Sequence, residues 1–502
     1  MSRCARSAGV PPASFLESKG RRDAGATKEE RAGRPRSAAR ALLSVLAGFA
    51  VQEVPETCHA ETLQDALSAA YRTNPVLQGQ RAQQKALDET YVQAKAGLRP
   101  TAGLTTQAQY DRGPNSVADF RQGFSGYNFG SAAITVTQPL YTGGRTSWAV
   151  RAADATVRAG REDLRAVEAQ VLLSVIQGYV DVLRDQQVLA IRNADMATLE
   201  RQVAESQAKF DLGQVTRTDV AEAQASLESA RVALAAASGQ LEISRAEFEA
   251  AVGEAPGVLA DPSDLPGLPA SLDQALKVAE TANPQLEQSR LRERSSQAAV
   301  AEAKAAWRPT VSLQGVYGYI GPVSPLNTHD YGQEATAGVT VSLPLLSGGV
   351  TASQVRQATA QNSSDQIAIE TMRRQVVQDV VQTWSQLQSN RLGAQAAQAQ
   401  ETAATLALKG SQAEYGYGLR KTLDVLIADQ NLRAAQQSLA VSRHDAFLAQ
   451  AAVLSAVGGL EVRNLLPGEP RYDPKANFDR VKHNADTPWE GAVETLDKIG
   501  AP

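Results

Sequence analysis

Cysteine is nearly missing from this chain: Cys4 and Cys58 are the only two in 502 residues. A mature chain that begins near Glu61 has none and needs no disulfide framework. Cys58 follows Glu56-Thr57 rather than the small apolar flank of a lipoprotein cleavage site, so no lipid anchor is expected. Aromatic residues are scarce at 5%, thin for compact globular cores. Abundant alanine and glutamine suit long helices packed through small side chains instead. The net charge of −4 lacks the basic surplus that phosphate contacts need, which argues against a nucleic-acid partner. The four histidines, His59, His329, His444 and His483, are scattered and show neither metal-ligand spacing nor a paired acid on one face. No glycine-rich loop carries the Lys-Ser/Thr of a phosphate cradle; Gly143-Gly144 and Gly348-Gly349 read as turns. Neither an enzyme, a cofactor nor a metal site is expected. Past the N-terminus no run reaches about 18 apolar residues, so no transmembrane helix is expected. A closed β-barrel remains open to such a chain.

What is present is a duplication. Leu63 falls on Leu272 and Tyr110 on Tyr319 at a constant shift of 209 residues, which also matches Asn74-Pro75 to Asn283-Pro284 and Arg99-Pro100 to Arg308-Pro309. Beyond a loop the shift is 205, placing Pro139 on Pro344, Gly213 on Gly418, Asp219 on Asp424 and Gly253 on Gly458. The unit is far longer than a solenoid period and predicts pseudo-symmetry within one protomer. The expected organisation is an N-terminal extension with a signal peptide (1–60), repeat 1 (61–258), a linker (259–270), repeat 2 (271–463) and a polar C-terminal tail (464–502), expected to be periplasmic and partly disordered. Residues 1–40 carry ten Lys/Arg and precede the apolar run 41–51, the pattern of a secretory signal.

Within each repeat a helix of about 35 residues (63–97; 272–306) is interrupted near its start by Asn-Pro and ended by Arg-Pro. Two alternating stretches follow, separated by polar loops over 111–128 and 320–333. Val311, Leu313, Gly315, Tyr317 and Tyr319 share one face; Ala337, Val339, Val341 and Leu343 share another. Period-2 segments of about ten residues are the mark of membrane-barrel strands, and Val339 and Val341 are assigned to lipid. Four strands cannot close around a pore, and an open edge in lipid leaves backbone groups unpaired, so several protomers must share one barrel. Three would supply twelve strands. Long helices over 146–210 and 351–413 carry heptad spacing, at Val150, Ala153, Val157, Leu164, Val167 and Val171 in the first, with Asn362 replacing Val157 in the second. Each turns at Gly213 or Gly418 into another helix of about 35 residues.

These segments together closely resemble the TolC-like outer-membrane channel family of multidrug efflux and type I secretion. The resemblance rests on the two NP helices, AKAGLRPT and AKAAWRPT, VTQPLYTGG and VTVSLPLLSGG, and the turns FDLGQVTRTDV and YGYGLRKTLDV. It covers about residues 62–460. It implies a mixed α/β membrane protein: a homotrimer with one shared twelve-stranded β-barrel in outer-membrane lipid, continued by a periplasmic α-helical barrel. The implied function is a passive exit duct coupled to an inner-membrane transporter through a periplasmic adaptor, which would meet the Gly213 and Gly418 turns. The rival reading is an exported coiled-coil scaffold that forms no channel. By resemblance, Asp219 pairs with Tyr415, and Arg420 with Thr218 and Asp219, to close the periplasmic end. From the residues alone, Thr218 or Asp219 equally reads as the cap of the next helix. Asp424 matches the first of the family's two pore-constricting aspartates; Ile427 stands at the second, and Asp429 lies out of register.

Overall fold

The computed structural model describes residues 61–114, 124–322 and 331–499. The expected signal segment and both cysteines lie outside them, as does the middle of each polar loop. The described chain builds the same series of elements twice. In repeat 1, α1 (Leu63–Thr73) and α2 (Pro75–Lys95) lead through a short 3₁₀ turn to β1 (Thr101–Pro114) and β2 (Phe124–Tyr141), then α3 (Arg145–Asp211) and α4 (Arg217–Val252). In repeat 2 the series is α5 (Leu272–Ala282), α6 (Pro284–Ala305), β3 (Thr310–Gly321), β4 (Gly332–Ser342), α7 (Val350–Gly416) and α8 (Thr422–Val457). Three short helices close the chain: α9 (Val462–Leu465), α10 (Pro474–Val481) and α11 (Glu490–Asp497).

The Asn-Pro pairs do more than interrupt a helix. Proline suits the first helical position because its missing N–H would be unpaired there in any case. Asn74 Oδ1 accepts from the N–H groups of Val76 and Leu77, while its Nδ2 donates 2.9 Å to the Ala251 carbonyl in the last turn of α4. Asn283 repeats this with Gln285, Leu286 and, at 2.9 Å, the Ala456 carbonyl of α8. Each asparagine therefore caps one helix start and ties it to another helix end.

The four strands form one antiparallel sheet in the order β1-β2-β3-β4. The β1–β2 ladder continues to Pro114↔Phe124, so the strands run further into the expected loop than the alternation alone suggests. A register irregularity sits at Pro139, which has no N–H to give to a ladder. α3 and α7 each have 67 residues, about 100 Å at 1.5 Å per residue. The main apolar core lies between α1, α3, the end of α4 and residues 447–466. It includes Tyr179 against Phe248, and the Tyr179 hydroxyl donates to the carbonyls of Glu61 (2.9 Å) and Ala260 (2.6 Å). Burial pushes that phenol up to about 12. α3 also holds an 18-residue stretch apolar enough to cross a membrane by composition, but more than half of it is buried in this core.

The tail departs from expectation. Residues 464–499 are folded against repeat 1 rather than partly disordered, because buried ionic contacts fix them. Arg99 binds Asp486 (2.7 Å) and Glu490 (3.3 Å), Lys95 binds the same two carboxylates, and Asn477 donates to Asp88.

Candidate functional site

Three places carry the functional geometry: the sheet, its junction with the long helices, and the turns at their far ends. In the sheet, the ladders put Leu104 opposite Ile134, Ile134 opposite Tyr317, and Leu313 opposite Val339. Directly paired residues project to one face, so Leu104, Ile134, Val136, Leu313, Tyr317, Val339 and Val341 form one apolar surface. Val339 is 61% and Val341 66% exposed. The opposite face carries Thr105, Gln107, Thr135, Ser312, Gln314 and Thr340. An exposed apolar surface of this extent calls for an apolar partner outside the protomer.

At the first junction the chain turns from β2 into α3 through Gly143 and Gly144, both at positive φ (71° and 79°). A Cβ on Gly143 would lie 2.7 Å from the Cβ of Arg308. Arg308, at the α6–β3 corner, donates through Nη1 to the Gly143 carbonyl (3.0 Å). Gly144 cannot cap α3 with a side chain, and the tail supplies the cap. Asp497, fully buried, accepts from the Thr142 N–H (2.7 Å), the Gly144 N–H (3.3 Å) and the Ser147 N–H (3.2 Å), and from both hydroxyls. A carboxylate is well suited to a helix N-terminus. Sequence reasoning missed Asp497, since nothing near it in the chain signals a cap for a helix about 350 residues away. The matching junction, Leu345-Leu346-Ser347-Gly348-Gly349, is bare: Leu345 is 88% and Leu346 93% exposed.

At the far ends, Gly213 (φ 71°) and Gly418 (φ 74°) stop α3 and α7 in the left-handed conformation that glycine adopts freely. Thr216, not Thr218, caps α4; Asp219 completes a capping box by accepting from the Thr216 N–H at 2.7 Å. Those hydrogen bonds hold the Asp219 carboxyl below its ordinary range. Thr218 is exposed in the first turn. Within the protomer the expected pairs are not formed. Tyr415 donates to Glu205 (2.9 Å) and accepts from Lys209, while Arg420 pairs with Glu414 (2.7 Å). Each of these partners lies nearer than Asp219, whose carboxylate the cap already uses. Asp424 accepts from the Lys421 N–H (3.1 Å) at the start of α8. Ile427 is exposed, and Asp429 is buried against Arg433 (3.2 Å).

Midway along, His444 of α8 stands between Asp181 of α3 and Asp445, at 2.9 Å from each. The expectation that no histidine has a paired acid on one face fails here, where Asp181 comes from a distant helix, and at His483, whose Nδ1 lies 2.9 Å from Asp486. Burial disfavours the charged ring, but the hydrogen bonds to Asp181 and Asp445 outweigh it and raise the His444 pKa. Among the described residues no group of three or more His, Cys, Asp or Glu is arranged to hold a metal.

Comparison with known proteins bears on this geometry. The family model described as "Outer membrane efflux protein" matches residues 66–254 and 275–459, once per repeat. The outer membrane efflux protein BepC of Brucella suis is 33% identical over 423 residues, covering 84% of this chain and 91% of the relative. The outer membrane protein TolC of Escherichia coli is 25% identical over 441 residues, covering 85% and 88%. In fold, the Campylobacter jejuni CmeC outer membrane channel superposes with a TM-score of 0.71 at 16% identity, covering 85% of this chain and 90% of that one. The chain belongs to the outer membrane efflux protein family: it is a TolC-like outer-membrane channel protein with a periplasmic helical part, and not an enzyme.

Proposed function

We propose that three copies of this chain form one passive exit duct for efflux or type I secretion, coupled to an inner-membrane transporter through a periplasmic adaptor. The observation that carries this is the four-stranded sheet, apolar on one face and unpaired at both edges, running directly into the 67-residue helices. A coiled-coil scaffold has no use for such a sheet. Edges in lipid must pair, and β4 and β1 of neighbouring copies are antiparallel when they meet.

The repeat supplies the register of that meeting. Within the protomer β2 pairs with β3, and Thr135 faces Val316. Advancing Thr135 by 205 gives Thr340; moving Val316 back by 209 gives Gln107. Thr340 of one copy therefore faces Gln107 of the next, both on the polar side. The same operation lays the corner at Arg99 over the bare Gly348 junction, as Arg308 lies over Gly143. Arg99 uses Nε and Nη2 for its carboxylates, leaving Nη1, the nitrogen that Arg308 uses.

The helix turns are the adaptor-facing end in this reading. Leu212, Tyr417 and Leu419, next to Gly213 and Gly418, are strongly exposed. Thr218, Asp219, Tyr415 and Arg420, whose expected pairs are not formed within one copy, are assigned to gate links between neighbouring copies of the assembled duct; exposed polar links of this kind are weak enough for a docked partner to exchange. Asp424 contributes one carboxylate per copy, a ring of three that favours cations. Single-channel conductance in a planar bilayer tests the duct. A small, cation-favouring conductance that rises or loses selectivity with Asp424→Ala is the expected result. A pore indifferent to that change removes Asp424 from the constriction, and a folded, membrane-extracted trimer that stays silent even with Asp219→Ala/Arg420→Ser counts against the duct.

A further inference from the structure

A cavity of about 450 Å³ lies between α1, α2, α3 and the stretch from Glu461 through α9 to the start of α10. Six cationic and three acidic side chains line it. The acids are largely engaged. Arg165 and Arg463 both pair with Glu461, and Arg165 also binds Glu162. Glu168 accepts from the Val462 N–H (3.1 Å), yet burial raises its carboxyl above the ordinary range. Arg81, Arg161, Arg471 and Lys475 have no acidic partner among the described residues.

Two of these arginines are held in an unusual way. The Arg81 guanidinium stacks on Tyr71 (4.4 Å) and Tyr472 (5.0 Å), and Arg161 stacks on Phe478 (5.0 Å). Stacking satisfies the flat faces of a guanidinium but leaves its N–H edge unused. Arg81 Nη2 and Arg161 Nε and Nη2 are buried without any hydrogen-bond acceptor. Buried donors without partners are rare; these three have almost no free surface, so an acceptor entering the cavity reaches them only after a small slide of the stacked guanidinium groups. A guanidinium edge is shaped for the two oxygens of a carboxylate or phosphate.

We propose that this cavity binds a small oxyanion, a phosphate or a carboxylate group, between the edges of Arg81 and Arg161, with Arg471 and Lys475 at its rim. The tail residues Tyr472 and Phe478 position the two arginines by stacking. The site lies away from the sheet and the helix turns, and it does not depend on the duct reading.

The test is calorimetric titration of the purified full-length protein with inorganic phosphate, and separately with succinate, at ionic strength held constant with sodium chloride. One saturable site per protomer is expected for at least one anion. Binding of phosphate alone identifies a phosphorylated ligand, and binding of succinate alone a carboxylate ligand. Arg81→Met and Arg161→Met keep the aliphatic stems while removing the forks, and should weaken binding by about tenfold or more. Should either disturb folding by circular dichroism, the exposed pair Arg471→Ala/Lys475→Ala provides a second reading, with several-fold weaker binding expected. Absence of saturable binding by both anions, or unchanged affinity in the folded variants, overturns the proposal.

Discussion

α3 and α7 have the same length and the same place in the repeat, yet 21 residues of α3 are buried and only six of α7. α3 packs against α1, α2, α4, α6, α8 and α11, whereas α7 meets α5, α6 and α8. Ile367, Leu392 and Leu406 of α7 remain strongly exposed. The junctions differ in the same sense: the first is covered by Arg308 and capped by Asp497, the second is bare. Duplication gave both copies the same backbone plan, but the long helix of repeat 1 finds more of its neighbours within the protomer. In the proposed duct the unfinished side of repeat 2 would meet repeat 1 of another copy.

The largest effect should come from the strand proposed to face lipid. Val339→Arg or Val341→Arg puts a cation on the apolar face at about 2–4 kcal/mol near the bilayer midplane. Outer-membrane trimer yield on semi-native gels should collapse, while helical content in detergent survives. Normal yield would mean that this face does not meet lipid.

The next sharpens the contrast between junctions. Asp497→Ala strips the cap from α3 and leaves buried N–H groups unpaired, which should lower stability by about 3 kcal/mol, read as a lower unfolding temperature. Ser347→Ala at the bare junction should change it little. Equal losses at both sites would refute the asymmetry.

The smallest concerns the seam between the repeats. His444 ties α8 to α3, while its repeat mate is Gly239, where a side chain would point into open space. Because the folded pKa of His444 is raised, its contribution is fully present below the ordinary value of 6.5 and fades as pH rises through the folded value. Unfolding midpoints should therefore fall modestly from mildly acidic to alkaline pH, and His444→Gln should flatten that part of the profile. An unchanged profile would assign the dependence to other groups.

Much of this was legible because it is periodic or repeated. The long helix expected over 146–210 is Arg145–Asp211, and that over 351–413 is Val350–Gly416; glycines at both ends mark the boundaries. The strand faces followed from alternation, and the apolar assignments of Val339 and Tyr317 agree with the ladder. What the sequence hid comes from contacts between distant segments. Asp497 has no repeat mate, and its role depends on where the tail lands. Asp181 and His444 are unremarkable along their own helices. The side chains at the turns chose nearby partners such as Glu205 and Glu414, which no spacing rule distinguishes from Asp219.

The most direct measurement joins two copies across the inferred seam. From Glu61 onward the chain has no cysteine, so Gln107→Cys with Thr340→Cys, in a background with Cys4 and Cys58 replaced by alanine, provides a single reactive pair. Oxidation in intact outer membranes should convert the chain to a covalent trimer on non-reducing gels, reversed by reductant. Inserted protein that remains monomeric, or that links as readily through Thr105→Cys or Gln109→Cys in place of Gln107→Cys, would contradict the seam and the three-copy duct built on it.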